Sequence, residues 1–208
     1  MDFPGRIFIS GTDTGIGKTV ISAILLSGLK GRYWKPVQSG LEDITDTRWI
    51  MEKTGLEKSR FFRETYRLTR PLSPHASALA DGVYIDIDKF DIPETGKDET
   101  LIIEGAGGVM VPLNETGLMT DLMKRCNAPV ILVARSTLGT INHTLLSVNQ
   151  LKREGLDIFG IIMNGRKDAG NREAIERFGG VPVIAEIEDI GDINPQSLKK
   201  SFEKYFGR

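Results

Sequence analysis

Between positions 11 and 19 the chain reads Gly11-Thr12-Asp13-Thr14-Gly15-Ile16-Gly17-Lys18-Thr19. An apolar run, Ile7-Phe8-Ile9, leads into this segment, and Val20, Ile21, Ile24, Leu25 and Leu29 follow it at helical spacing, ending in the glycines at 28 and 31. Strand, glycine-rich loop and helix in that order are the context of a phosphate-binding loop. Backbone N–H groups of the turn and of the helix start face inward and bind phosphate oxygens. Lys18 would reach the β- and γ-phosphates, and the Thr19 hydroxyl would take a ligand position on Mg²⁺. The strict spacing G-x-x-x-x-G-K-[ST] asks for glycine at position 12, where this chain has Thr12; its glycine sits one residue earlier, at Gly11. Nucleotide binding is the chemistry these residues predict.

A nucleotide-bound Mg²⁺ takes one or two protein carboxylates, with phosphate, hydroxyl and water completing its shell. Glu104 ends the apolar run Leu101-Ile102-Ile103 and is followed by Gly105-Ala106-Gly107-Gly108. A carboxylate at the C-terminal end of a buried strand lies in the crevice where open α/β sheets bind ligands, which makes Glu104 the first metal-ligand candidate. Asp46, just before Arg48-Trp49-Ile50, is the second; a helix N-cap and a metal ligand are both open there, and spacing alone favours the cap. Lys35 closes the apolar pair Tyr33-Trp34, and Pro36 keeps it extended. A second lysine facing the phosphate loop could stabilise charge on a transferred phosphoryl group; a strand-end lysine reaching into solvent is the alternative.

These residues need a frame to hold them. The 208 residues carry 27 Lys+Arg against 28 Asp+Glu, a formal net charge of −1, and 40% are hydrophobic. That is the balance of one globular domain spanning 1–208, with no field for gripping nucleic acid. A single cysteine, Cys126, excludes an intrachain disulfide and a cysteine-based zinc site. No apolar run approaches a membrane span, and the start Met1-Asp2-Phe3-Pro4-Gly5-Arg6 is too polar for a signal peptide, so a cytoplasmic location is expected. Apolar runs at 7–9, 33–34, 101–103, 130–133 and 158–163, with 181–184 as a further candidate, lack alternation, as strands buried on both faces do. Helical patterns at 20–29, 138–151, 168–178 and 196–206 lie between them. The fold class is therefore α/β, a mostly parallel sheet flanked by helices. Residues 55–99, with Pro71, Pro74 and Pro93, read as short helices and loops.

Taken together, the segment 11–19, Lys35-Pro36-Val37-Gln38-Ser39-Gly40, Ser73-Pro74-His75, Glu104-Gly105-Ala106-Gly107-Gly108 and Leu138-Gly139-Thr140-Ile141-Asn142-His143 resemble dethiobiotin synthetases in motif and order, over about residues 6–165. The resemblance implies a P-loop NTPase-type domain that joins CO₂ to 7,8-diaminopelargonic acid as a carbamate. MgATP then phosphorylates the carbamate, and ring closure of the carbamic-phosphoric anhydride expels phosphate. It implies Lys35 and Lys18 as catalytic lysines, Ser39 at the substrate, and Thr19, Asp46 and Glu104 as the Mg²⁺ ligands. Around ATP it implies Gly15, Ile16, Gly17, Val20, Gly105, Ala106 and Gly107, with Asn164 and Gly165 at the base and Glu188, Asp189 and Ile190 in the loop that lines it. It further implies a homodimer in which Gly139 and Asn142 of one chain grip the substrate's tail carboxylate in the other chain's site.

Two departures from the family pattern stand out. Glu188 occupies a position where the family often has proline, which bears on base selection, and the stretch from about 76 to 100 is shorter than usual. His75 and His143 read as structural or substrate-positioning. Two other readings share the phosphate loop: a cobyrinate-type amide-forming synthetase domain and a partition-type switch ATPase. Against the first, Cys126 falls in a helix-to-strand connection and the chain offers no glutaminase domain. Against the second, the loop carries Thr12, Asp13 and Thr14 where a switch ATPase has an early lysine.

Overall fold

A computed structural model describes residues 1–207. Among the described residues eight strands and seven α-helices follow in the order β1 (Arg6–Gly11), α1 (Lys18–Gly28), β2 (Gly31–Trp34), β3 (Val37–Ser39), α2 (Asp46–Thr54), β4 (Tyr66–Leu68), α3 (Pro74–Ala80), β5 (Thr100–Glu104), α4 (Met119–Cys126), β6 (Val130–Arg135), α5 (Thr140–Arg153), β7 (Ile158–Asn164), α6 (Ala169–Gly179), β8 (Val183–Ile187) and α7 (Pro195–Phe206). Six strands form one sheet in the order β2-β5-β1-β6-β7-β8, and every pair is parallel.

The central strands have no polar face because both faces are covered. Along β1, Ile7 and Ile9 pack into one core and Phe8 into the other; Leu101 and Ile103 of β5 divide from Ile102 in the same way, as do Leu132 and Ala134 of β6 from Ile131 and Val133. The period of two predicted for a strand survives as a choice of core. One core is closed by α1, α2 and α7, and the other by α3, α4, α5 and α6. Gly28 lets α1 and α7 meet: a Cβ there would collide with the Phe202 ring.

The strand runs read from sequence are all present, and 181–184 becomes β8, starting two residues later. Four differences have physical causes. A second, two-stranded parallel sheet joins β3 to β4, with Val37 opposite Tyr66; strands this short carry too little periodicity to be seen. Helix α4 is not among the helical patterns read from sequence, and Cys126 is its last residue, buried, instead of lying in the connection that follows. Helix α5 starts at Thr140, because Gly139 has φ +91°, so Leu138 lies outside the helix and fully in solvent. The helix after Thr45 is capped by Thr45 itself, whose side chain accepts from Arg48 N–H; Asp46 is the first helical residue and not the cap. Residues 55–99 hold the expected short helices, two 3₁₀ turns and α3, together with the unexpected strand β4.

Candidate active site

Strands β1 and β5 are neighbours in parallel register, with Ile9 opposite Glu104. Their C-terminal ends therefore deliver the phosphate loop and Glu104 to the same edge of the sheet. The loop is tied down from three sides. Thr12 N–H donates to Val133 O of β6 at 3.0 Å, Lys18 Nζ to Asp13 O at 2.9 Å, and Asn164 Nδ2 to Ile16 O at 2.8 Å. Gly15 and Gly17 have φ of +70° and +99°, in the left-handed region that favours glycine. A Cβ at Gly11 would strike the Ile16 side chain. The glycine one position ahead of the usual spacing thus answers a packing demand.

Lys35 sits between β2 and β3 and is 4% exposed. Its Nζ lies 2.9 Å from Asp46 Oδ2 and 3.1 Å from Glu104 Oε1, with Gly105 O at 3.4 Å. The solvent-reaching alternative for this lysine is excluded. Burial alone would lower the Lys35 pKa, but the charges of Glu104 and Asp46 outweigh it and hold the ammonium above its ordinary value. Asp46 mirrors this: burial pushes its carboxyl up, while Lys35 and the Thr19 hydroxyl bring it below the ordinary range. Lys18 behaves differently. Burial dominates, Glu104 only partly offsets it, the nearby Lys35 charge adds to the lowering, and the ammonium comes down to about 8.

Three oxygens converge beside these lysines. Thr19 Oγ is 2.9 Å from Asp46 Oδ1 and 3.0 Å from Glu104 Oε1. A hydroxyl has one proton, so it can donate to only one of those carboxylates at a time. Adjacent ligands on an octahedral Mg²⁺ with bonds of about 2.1 Å lie about 3.0 Å apart. The spacing and the all-oxygen donor set therefore fit a hard divalent cation.

Neighbouring side chains hold this arrangement. Gln38 Oε1 accepts from Asp46 N–H at 3.1 Å and its Nε2 donates to Ser39 O at 2.9 Å, clamping the start of α2 against β3. Tyr33 O–H donates to Glu104 Oε2 at 3.0 Å. Reading the sequence missed both residues. For Tyr33 a signal existed: two positions before Lys35 on an extended strand, it faces the same side. Gln38 lies inside the motif 35–40, but its clamp on α2 depends on a contact that only the fold makes. Ser39 Oγ is buried without a hydrogen-bond partner and lines the cleft of 590 Å³ that Lys18, Thr19, Lys35, Asp46 and Glu104 also line. Buried hydroxyls are usually paired, so this one is available to a group entering the cleft.

Of the other expected site residues, Gly15, Gly17, Ala106 and Gly107 line the same cleft, while Gly105 lies beside it against Phe8. Ile16 is buried beneath the loop, and Val20 packs into the core under α1. Asn164 ends β7 and Gly165 follows it; Gly165 N–H donates to Ile187 O at 2.8 Å, which joins them to the loop carrying Glu188, Asp189 and Ile190. Those three lie outside the lining of the cleft. Glu188 is half-exposed between Lys167 and Lys204, Asp189 accepts from Gly191 N–H, and Ile190 packs toward the core. Gly139 and Asn142 are exposed at the start of α5 and do not reach this chain's own cleft. A second depression of 390 Å³ joins the outer side of the loop, Thr12 to Thr14, to Met110, His143 and Leu146.

A family model described as an AAA domain matches residues 5–197. The chain is 44% identical over 201 residues to a protein of Nitrobacter hamburgensis named ATP-dependent dethiobiotin synthetase BioD, covering 97% of this chain and 94% of that one. It is 45% identical over 192 residues to the protein of the same name from Paramagnetospirillum magneticum, with 92% of each chain covered. Among solved structures, a ParA family ATPase from Chlorobium tepidum superposes with a TM-score of 0.51 at 14% identity, covering 98% of this chain and 91% of that chain. The septum site-determining protein MinD with Mg-ADP from Pyrococcus horikoshii gives 0.52 at 18% identity, with 96% and 94% covered. These two likenesses concern the fold alone.

Proposed function

The chain belongs to the family of ATP-dependent dethiobiotin synthetases, and from that membership we propose that its cleft closes the urea ring of dethiobiotin from 7,8-diaminopelargonic acid, CO₂ and ATP. The observation that carries this reading is the pair of buried lysines, Lys18 and Lys35, in one cleft with two carboxylates and the phosphate loop.

The reaction joins anions that repel one another. One substrate amine adds to CO₂ and loses a proton, giving a carbamate. A carbamate oxygen takes the γ-phosphoryl group and ADP leaves. The second amine then attacks the carbamate carbon and gives up a proton, the bond from that carbon to the phosphate-bearing oxygen breaks, and phosphate departs as the ring closes. No nucleophilic side chain is required. What is required is positive charge fixed in advance where negative charge gathers. Lys18 and the N-terminus of α1 hold the β- and γ-phosphates; Lys35 faces the carbamate and the moving phosphoryl group; Ser39 receives the substrate. Thr19, Asp46 and Glu104 would hold Mg²⁺, which when bound neutralises phosphate charge. Asn164 and Gly165, with the loop at 188–190, would hold the base.

The same reading makes the protein a cytoplasmic homodimer acting on small molecules, with neither nucleic acid nor membrane as partner. Among the described residues no helix is long and apolar enough to cross a membrane. Met110, Leu138 and Leu146 are large apolar side chains left in solvent, and two of them border the depression outside the phosphate loop. A second copy would cover them and bring its Gly139 and Asn142 to this site. The test of the activity is ATP turnover with and without diaminopelargonate and bicarbonate, with labelled bicarbonate followed into product. ATP hydrolysis indifferent to the diamine, or stimulated by DNA or lipid instead, would overturn the reading.

A further inference from the structure

We propose that Tyr33 is a positioning residue that sets the orientation of the Glu104 carboxylate, and through it the affinity of the site for a divalent cation. The inference rests on the reading of Thr19, Asp46 and Glu104 as metal ligands. It concerns a fully buried residue that does not line the cleft.

Glu104 is 1% exposed, so each of its oxygens depends on protein partners. Oε1 faces Thr19 Oγ and Lys35 Nζ, at 3.0 and 3.1 Å. Oε2 faces Tyr33 O–H at 3.0 Å. The two oxygens are thus sorted, one toward the cleft and one toward the core, and the phenol is what distinguishes them. Without it, Oε2 would be a buried acceptor lacking this donor. A partial rotation about the terminal torsion of the glutamate, short of the half-turn that merely exchanges its two oxygens, would then carry Oε1 away from Thr19 and Lys35. That torsion is soft and nearly two-fold, so an external hydrogen bond is needed to hold it. Hydrogen bonds behind a ligating group are a recognised lever on metal affinity.

The phenol is itself held. Its ring is fully buried and meets Phe61 edge-on, with centroids 6.1 Å apart. Phe62 N–H donates to Tyr33 O at 2.9 Å, fixing the backbone from the same side. β2 pairs with β5 in a register that places Tyr33 opposite Ile102, two residues before Glu104.

The experiment is Mn²⁺ binding to the protein with a non-hydrolysable ATP analogue, followed by electron paramagnetic resonance, in the parent, Tyr33→Phe, Glu104→Gln and Phe61→Leu. Tyr33→Phe removes one oxygen and keeps the ring, and its melting temperature checks that the fold is intact. Tyr33→Phe should weaken Mn²⁺ on the order of tenfold, and Glu104→Gln should weaken it further. In turnover, the Tyr33→Phe loss should fall on the half-saturating Mg²⁺ concentration more than on kcat. Phe61→Leu, which loosens the ring but keeps the hydroxyl, should weaken Mn²⁺ less than Tyr33→Phe. Parent-like Mn²⁺ binding in Tyr33→Phe, with binding lost in Glu104→Gln, would overturn the role of Tyr33 and leave the metal site standing. Equal losses in Tyr33→Phe and Phe61→Leu would assign the effect to packing and overturn it as well. Parent-like binding in Glu104→Gln would overturn the metal reading itself.

Discussion

Replacing Lys35 with alanine tests the centre of the site in two independent ways. The side chain is buried and its ammonium lies 2.9 Å from Asp46 and 3.1 Å from Glu104. Removing one partner of a buried pair leaves uncompensated charge and costs about 3–5 kcal/mol. Glu104 is 1% exposed at its side chain and takes the full effect, but Asp46 is 33% exposed and water screens part of its share. The lower end, about 3 kcal/mol, is therefore expected. For a chain of this size that corresponds to a fall in Tm of roughly 6–12 °C. The fall should shrink when Mg²⁺ is added, because a cation can replace the missing charge between the two carboxylates. The pH dependence has a definite sign. The Asp46 carboxyl, burial notwithstanding, is held below its ordinary value mainly by Lys35, so it contributes stability above its unfolded value and loses it as pH falls through the folded one. Without Lys35 that contribution shrinks, and acid unfolding should begin at a higher pH. Catalytically, kcat should drop on the order of 10²-fold or more, since a preorganised charge on the transition state is gone, while nucleotide affinity changes less. Calorimetric melts with and without Mg²⁺, together with steady-state turnover, measure both effects. Turnover within a few-fold of the parent would refute the catalytic role, and a lost Tm indifferent to metal would refute the electrostatic account.

Nucleotide binding should be linked to protons through Lys18, whose ammonium burial brings down to about 8; phosphate favours the charged form, so affinity should fall as pH rises above about 8, with proton uptake visible in titration calorimetry across buffers of different ionisation enthalpy. Constant affinity between neutrality and pH 9 would count against a phosphate contact by Lys18. With Glu188 where the family often has proline, nucleoside triphosphates other than ATP should support some turnover; a side-by-side assay giving no product with CTP or GTP would contradict this. Shared sites in a dimer predict complementation between Lys18→Ala and Gly139→Glu: a random 1:1 mixture should regain about a quarter of parent activity, since half the dimers are mixed and each keeps one intact site. No recovery after verified subunit exchange would mean that each chain builds its site alone.

Some of this site was legible residue by residue and some was not, for a physical reason. A phosphate loop is local: its glycines, lysine and threonine act within nine consecutive positions, and the strand and helix on either side announce themselves by periodicity. The sheet was legible for the same reason, since runs such as Leu101-Ile102-Ile103 state their double burial in composition. Glu104 and Lys35 could be named as candidates because each is a charge at the end of an apolar strand. Their mutual geometry could not. Lys35 reaches Glu104 across 69 positions, and Thr19 reaches it across 85, distances that only the register of β2, β5 and β1 converts into contact. Asp46 shows the limit most plainly: spacing preferred it as a helix cap, and tertiary packing gave the cap to Thr45 and turned Asp46 toward Thr19 and Lys35. Tyr33, Gln38 and the helix α4 stayed hidden because a buried hydrogen bond, or an eight-residue amphipathic turn, has no signature until the partner surface exists. The sequence by itself determined which chemistry was available; the parallel sheet decided which groups share it.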